Sequence, residues 1–176
     1  MDALTVGLHL GSIGVGYALS VALEWLVHNL VFHKLGKRRG SPFSFHYADH
    51  HRAVRKTGGR DPSFEGSRLA WNAYGRELLG IVLGAVLLSP LFFVAPFCTL
   101  AAIISGIHYH LVHARSHLDP DWCRAHLRWH WDHHLGTDQD VNWGVTNEWF
   151  DRLMGTRVPW WSKEERAARE PLRKAG

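Results

Sequence analysis

The stretch ALTVGLHLGSIGVGYALSVALEWLVHNLVFH, Ala3–His33, decides the fold. It is a nearly unbroken run of apolar and small residues, interrupted before its closing histidine chiefly by His9, Glu24 and His28. At about 1.5 Å per residue, a helix of this length exceeds a hydrocarbon core of roughly 30 Å, so one long or tilted span accommodates it. Glycines at 7, 11, 14 and 16 predict close helix packing along its first half. No positive segment precedes the run, so it reads as a span and not as a cleaved signal.

Two more apolar runs follow. A second helix is expected from about Ser67 to Ser89, polar in its first turns and apolar after Glu77. SPLFFVAP, with Pro90 and Pro96, predicts a turn or kink at the far membrane face. A third helix then returns through FCTLAAIISGIHYHLVH to Arg115. The spans are expected at about 3–33, 67–89 and 91–114, in an all-α multi-pass membrane fold with a fourth span left open. One catalytic domain, 1–161, would be followed by a charged tail, 162–176, in which Ser162 and Glu165 have capping-box spacing.

Charge supports this reading. All 20 Lys and Arg residues lie at position 34 or later, and none falls between 77 and 114. With three spans, every basic residue collects on one face, which the positive-inside rule makes cytoplasmic. The membrane would be a bacterial inner membrane, or the endoplasmic reticulum in a eukaryote. The net charge of +4 sits beside apolar runs, which fits a membrane surface and not nucleic acid. Two cysteines, Cys98 and Cys123, exclude a disulfide framework and a C-x-x-C site. Seven of the nine tryptophans follow His117, and Trp160 and Trp161 are expected as interfacial anchors.

The same face receives most of the 14 histidines. They fall in four groups: His28 and His33; His46, His50 and His51; His108, His110, His113 and His117; and His126, His130, His133 and His134. A helix returns to one face every three or four residues, so His130, His133 and His134 share a face, as do His46, His50 and His51 if locally helical. His28 and His33, five apart, lie about 140° around an ideal α-helix and need a helix end or a metal pair to reconcile them. Imidazole suits iron, zinc, copper and nickel. Four converging groups exceed the needs of one tetrahedral ion, so two metals are inferred. Haem would use only two axial histidines, and a solvated basic face would be better served by Lys and Arg. A histidine-rich metal transporter or sensor predicts polar residues at mid-span, where this chain is apolar. The isolated His9 is read as a packing residue, and His126 as a surface residue.

The ordered boxes H-x4-H, H-x3-HH, H-x4-H and H-x2-HH resemble those of the fatty acid hydroxylase/sterol desaturase superfamily, membrane non-haem di-metal oxygenases. The resemblance covers roughly residues 24–157, with EGSRL (65–69) and NWGVTNEWFDRLMGT (142–156) also similar to family segments. HYHLVH looks most like the corresponding box of bacterial beta-carotene hydroxylases.

The resemblance implies His28, His33, His46, His50, His51, His108, His113, His130, His133 and His134 as metal ligands. His110 and the pair His113–His117 compete for the third box, and Phe150 replaces the usual tryptophan before Asp151. It further implies two iron ions, which zinc can replace in a purified sample, and O2 as co-substrate. The expected reaction is hydroxylation of a C–H bond in a long-chain lipid (fatty acyl chain, sterol or carotenoid), with desaturation as the alternative. Two electrons would come from a separate ferredoxin-like or b-type cytochrome donor with its reductase, since the chain carries no haem domain or flavin motif. Asp49, Asp132, Asp138, Asp140 and Glu24 are candidates to orient the imidazoles through their other N–H. Asn142 is a candidate to hold its loop or a ligand. Arg52, Arg55, Lys56 and Arg60 are candidates to meet an acidic donor or anionic headgroups.

Overall fold

A computed structural model of the chain describes residues 2–167; the expected tail beyond 167 lies outside the described residues. Every regular element in it is helical, and no strand occurs among the described residues. The first helix, α1 (Ala3–Leu26), starts where the Asp2 carboxylate accepts the Thr5 N–H at 2.8 Å. It continues without a break as a π-helix, Val27–Leu35, into the basic exit. A second π-helix, Phe45–His51, leads into α2 (Arg52–Lys56), and a 3₁₀ turn, Pro62–Glu65, follows.

Helix α3 (Ala73–Leu88) begins at Ala73, not near Ser67. Asn72 is extended there and its side chain accepts the Gly75 N–H at 3.1 Å, an N-cap that displaces the start inward. The proline-bounded turn Ser89–Phe93 leads into α4 (Pro96–Leu118), which runs past Arg115 because its last turn, with His113, Ala114, Ser116 and His117, is buried. Three short helices complete the cap: α5 (Pro120–His126), α6 (Arg128–Leu135) and α7 (Trp149–Met154).

Three helical stretches are long and apolar enough to cross a membrane: Leu4–Leu35, Ala73–Phe93 and Pro96–Leu118. They leave Leu4, Leu8, Leu87, Phe93 and Ile104 exposed, as a lipid solvent requires. α1 packs against α4. At Gly16 a side chain would overlap the Cys98 carbonyl, so only glycine admits this approach. Gly7, Gly11 and Gly14 meet nothing within 4 Å, so the expected packing holds at Gly16 alone. His9 packs against Phe97, with ring centroids 4.2 Å apart and the rings tilted at 39°.

The cap has little apolar core. A small cluster of Phe64, Tyr74 and Ala114 sits beside a mass of imidazoles. The largest fully buried side chains are His28, His33, His50, His51, His113, His117, His130, His133 and His134, with Val54, Val145 and Asn142. Burying so many polar rings is costly unless each is satisfied. The fold therefore carries a demand that apolar packing does not meet.

Candidate metal centre

The π-helices resolve the spacing problem. A π-turn bonds residue i to i+5, as Gly36 N–H does to the Val31 carbonyl at 2.9 Å. Residues five apart therefore stack on one face, which brings His28 over His33 and His46 over His51. His50, one residue off that register, turns to a different neighbour set. His46, His50 and His51 share one buried face as expected, the His46 ring lying 5.1 Å from His50 and 5.0 Å from His51, and only their ligand atoms divide between two neighbour sets.

The rings assemble into two groups. His28, His33, His46, His51 and His133 form one, and His50, His113, His117 and His134 the other, each with ligand atoms within 4.8 Å of one another. In the first, Nε2 atoms face each other at 3.0 Å (His28–His46), 3.2 Å (His33–His51), 3.3 Å (His46–His51) and 3.2 Å (His51–His133). In the second, His113 and His117 Nε2 lie 3.2 Å apart, and His130 Nε2 approaches His117 Nε2 at 3.1 Å. The groups abut where the His51 and His134 ring centroids are 4.2 Å apart.

The opposite edge of most rings is held by an acceptor. Nδ1–H of His28 donates to Trp143 O at 2.6 Å, that of His133 to Val141 O at 2.7 Å, and that of His117 to Gly59 O at 3.0 Å. His50 donates to Asp61 at 2.6 Å, His33 to Asp140 at 3.1 Å, and His113 to Glu77. Carbonyl and carboxylate oxygens only accept, so these six rings carry their hydrogen on Nδ1 and a lone pair on Nε2. Where two such rings meet, as His113 and His117 do, lone pair faces lone pair, an arrangement that a cation between them makes favourable. His50 Nε2 and both nitrogens of His134 are buried without a hydrogen-bond partner among the described residues, which reinforces the point. A donor set made only of imidazole nitrogen fits iron, zinc, copper or nickel.

Electrostatics agree. Burial, reinforced mainly by neighbouring imidazoles, pushes His46, His51, His130, His133 and His134 well below the ordinary histidine value, so they are neutral, the form that binds metal. Burial also lowers His50, against the opposing hydrogen bond to Asp61. Burial works to raise Asp61, but the His50 and Ser63 hydrogen bonds prevail and hold it low.

Of the ten histidines expected as ligands, nine are buried around this centre and His108 is not. α4 turns His108 outward, while His113 and His117, one turn apart, point into the second group. His130 borders that group through its contact with His117, and its Nδ1 has no partner. His110 is buried against Glu77 at 2.7 Å and stacks on Tyr74, outside both groups. His126 is exposed. Trp129 and Trp131 lie off the ligand face: Trp129 Nε1 donates to Val145 O at 3.0 Å, and Trp131 packs over Gly59.

Of the five carboxylates expected to orient imidazoles, only Asp140 touches one. Asp132 is held by Arg128 at 2.7 Å and Arg157 at 3.0 Å, Asp138 accepts the Asp140 N–H at 2.8 Å, and Asp49 is exposed. Glu24 takes the backbone N–H groups of Val145 and Thr146 and the Thr146 hydroxyl at 2.8 Å, tying their loop to α1. Asn142 also holds backbone: at φ 58° it bonds the Val158 N–H at 2.7 Å and the Val158 carbonyl at 2.8 Å. Arg55 is spent on the His134 and Gly136 carbonyls, at 2.9 and 2.8 Å. The orienting carboxylates are instead Asp61 and Glu77. Glu77 carried a signal, an ionisable residue at the edge of an apolar span. Asp61 carried only a D-P turn.

The Ser162–Glu165 capping box is formed, with Glu165 Oε2 accepting the Ser162 N–H at 2.8 Å and Ser162 Oγ the Glu165 N–H at 3.2 Å. Glu165 also binds Arg124 and Arg128, and Arg128 lies over the Trp161 ring at 4.4 Å, so this segment clasps the ligand helix α6. The loop after α6 is closed by Asp151, which accepts the Trp143 N–H at 2.8 Å, the Gly144 N–H at 2.7 Å and the Trp25 indole N–H at 3.2 Å. Phe150 packs edge-on against Trp25.

No curated protein and no solved structure matches this chain. The family model described as Fatty acid hydroxylase matches residues 13–156, a stretch that contains both imidazole groups, most of the first apolar helix and all of the other two, and the chain belongs to that family.

Proposed function

We propose that this chain is a membrane di-iron oxygenase that hydroxylates a C–H bond of a long-chain lipid, with O2 and two electrons from a separate donor. Family membership already makes it an oxidoreductase of the membrane. The observation that carries the finer reading is the pair of abutting imidazole groups, with Nε2 atoms converging and six rings held through Nδ1, at one end of three apolar helices.

The ligands would be His28, His33, His46, His51 and His133 for one ion and His50, His113, His117 and His134 for the other, with His130 beside the second. When bound, iron supplies the activation of O2, one atom of which enters the C–H bond while the other leaves as water with two electrons and two protons. The chain holds five of these imidazoles, His28, His133, His117, His50 and His113, in one tautomer through Trp143, Val141, Gly59, Asp61 and Glu77. It excludes water by burying every ring in both groups. Substrate would reach the centre from the bilayer, since the helices beneath it are lipid-exposed. The face that collects Lys and Arg is the cytoplasmic one under the positive-inside rule, where a ferredoxin-like or b-type cytochrome donor would dock.

Desaturation would use the same centre and differ in which hydrogens are lost. Metal transport is disfavoured because the groups lie at the helix ends, not along a path through the spans. Detergent-purified protein expressed with iron is expected to hold about two transition-metal ions per chain. Lipids from cells expressing it should gain one oxygen atom. Less than one ion per chain sinks the reading, and a loss of two hydrogens instead of a gain of oxygen selects the desaturase.

A further inference from the structure

The two imidazole groups differ in what stands behind them. In the second, both outer partners with charge are buried carboxylates. Asp61 accepts the His50 Nδ1–H at 2.6 Å, with side-chain exposures of 3% and 1%. Glu77, 5% exposed, accepts from His113 Nδ1 and, at 2.7 Å, from His110 Nδ1. In the first group His28 and His133 rest on neutral carbonyls. The neutral side-chain amide of Gln139 lies against His51 Nδ1 at 3.0 Å. The one carboxylate there, Asp140 behind His33, is 56% exposed and is neutralised by Lys37 at 2.6 Å.

A carboxylate accepting an Nδ1–H pushes electron density onto the Nε2 of the same ring and makes it a stronger donor. A buried anion also attracts a nearby dication through low dielectric, whereas an exposed, lysine-paired one is screened. Both effects favour the second group. Resting on the proposed metal centre, we infer that its two positions are inequivalent. Asp61 and Glu77 are positioning residues that make the His50–His113–His117–His134 position the tighter of the two.

The test is a chelator chase of the iron-loaded, detergent-solubilised full chain, read by metal content and by the Mössbauer spectrum of an iron-57 sample. The parent should release its metal in two phases of equal amplitude, their rates separated by about tenfold or more. His117→Ala should abolish the slow phase, and His133→Ala the fast one. Asp61→Asn and Glu77→Gln should each accelerate the slow phase by about tenfold, change one of the two iron signals and leave the other. Asp140→Asn should leave the slow phase as it is.

A single release phase in the parent overturns the inference without any variant, so misfolding of the carboxylate variants does not shelter it. So does an unchanged slow phase in both carboxylate variants, or joint loss of both ions from variants that still elute as monodisperse protein. A parent that binds no metal defeats the metal centre itself, which is a different result.

Discussion

The Nδ1–H of His28 donates to the carbonyl oxygen of Trp143 at 2.6 Å, across 115 residues of sequence. The bond joins the first membrane helix to the loop after the last ligand helix. That loop is pinned by side chains: Glu24 and Asp151 take its N–H groups, and Trp129 takes one of its carbonyls. Backbone that α1 must meet in one geometry is thus held from three elements.

Asp151 is the hinge of this arrangement and is fully buried. Asp151→Asn turns an acceptor of the Trp143 and Gly144 N–H groups into one that also presents hydrogens to them. Charged hydrogen bonds of this kind contribute about 1.5–3 kcal/mol each. The variant should melt several degrees lower in detergent and lose metal from the His28 group. An unchanged melting temperature with full metal content would contradict it.

The third box separates by exposure. His108 faces outward and His117 is buried in the second group. His108→Ala should keep the parent's metal content and stay within about 0.5 kcal/mol of its stability. His117→Ala should lose about one ion per chain. Metal analysis of the two purified variants checks both, and equal loss in each would return His108 to the ligand set.

Gly59 has φ 117°, its carbonyl accepts the His117 Nδ1–H, and an added Cβ would stand 2.8 Å from the Trp131 ring. Gly59→Ala is therefore strained in backbone and crowded in side chain, at a cost of about 1–3 kcal/mol. Thermal unfolding should show that loss. Reduced metal content should accompany it, because His117 no longer has its anchor in place.

The clasp over α6 should open with acid. The Arg128 hydrogen bonds hold Glu165 below the ordinary carboxylate range. A depressed folded value means the contribution is complete above the unfolded value of 4.5 and is lost as pH falls below it. The cluster lies at the surface, with its Arg124 side chain 48% exposed, so screening holds the effect to about 1 kcal/mol. Tryptophan emission, reporting Trp160 and Trp161, should change progressively as the pH falls below about 4.5 in the parent and not in Glu165→Gln.

The all-α membrane architecture was legible because span length and charge exclusion are properties of the chain read in one dimension. Three apolar runs, a proline turn and one basic face needed no tertiary knowledge. The order of the histidine boxes was legible for the same reason, and it pointed to the family.

What periodicity could not supply was the partition of the rings. α-Helical spacing places His28 and His33 apart, but the π-helix brings residues five apart onto one face, and only the direction of its ligand atom separates His50 from His46 and His51. Nor could it rank His108 against His117, because which side of α4 faces the cap depends on how α4 packs against α1 and the cap.

The sequence by itself determined a membrane-spanning helical chain with enough imidazole at one face for more than one metal. Tertiary structure alone decided which rings meet, which tautomer each keeps, and that Asp61 and Glu77 stand behind one group while carbonyls of Trp143 and Val141 stand behind the other. The reason is physical. Every residue has a carbonyl, so only the fold shows which of them a buried Nδ1–H will reach.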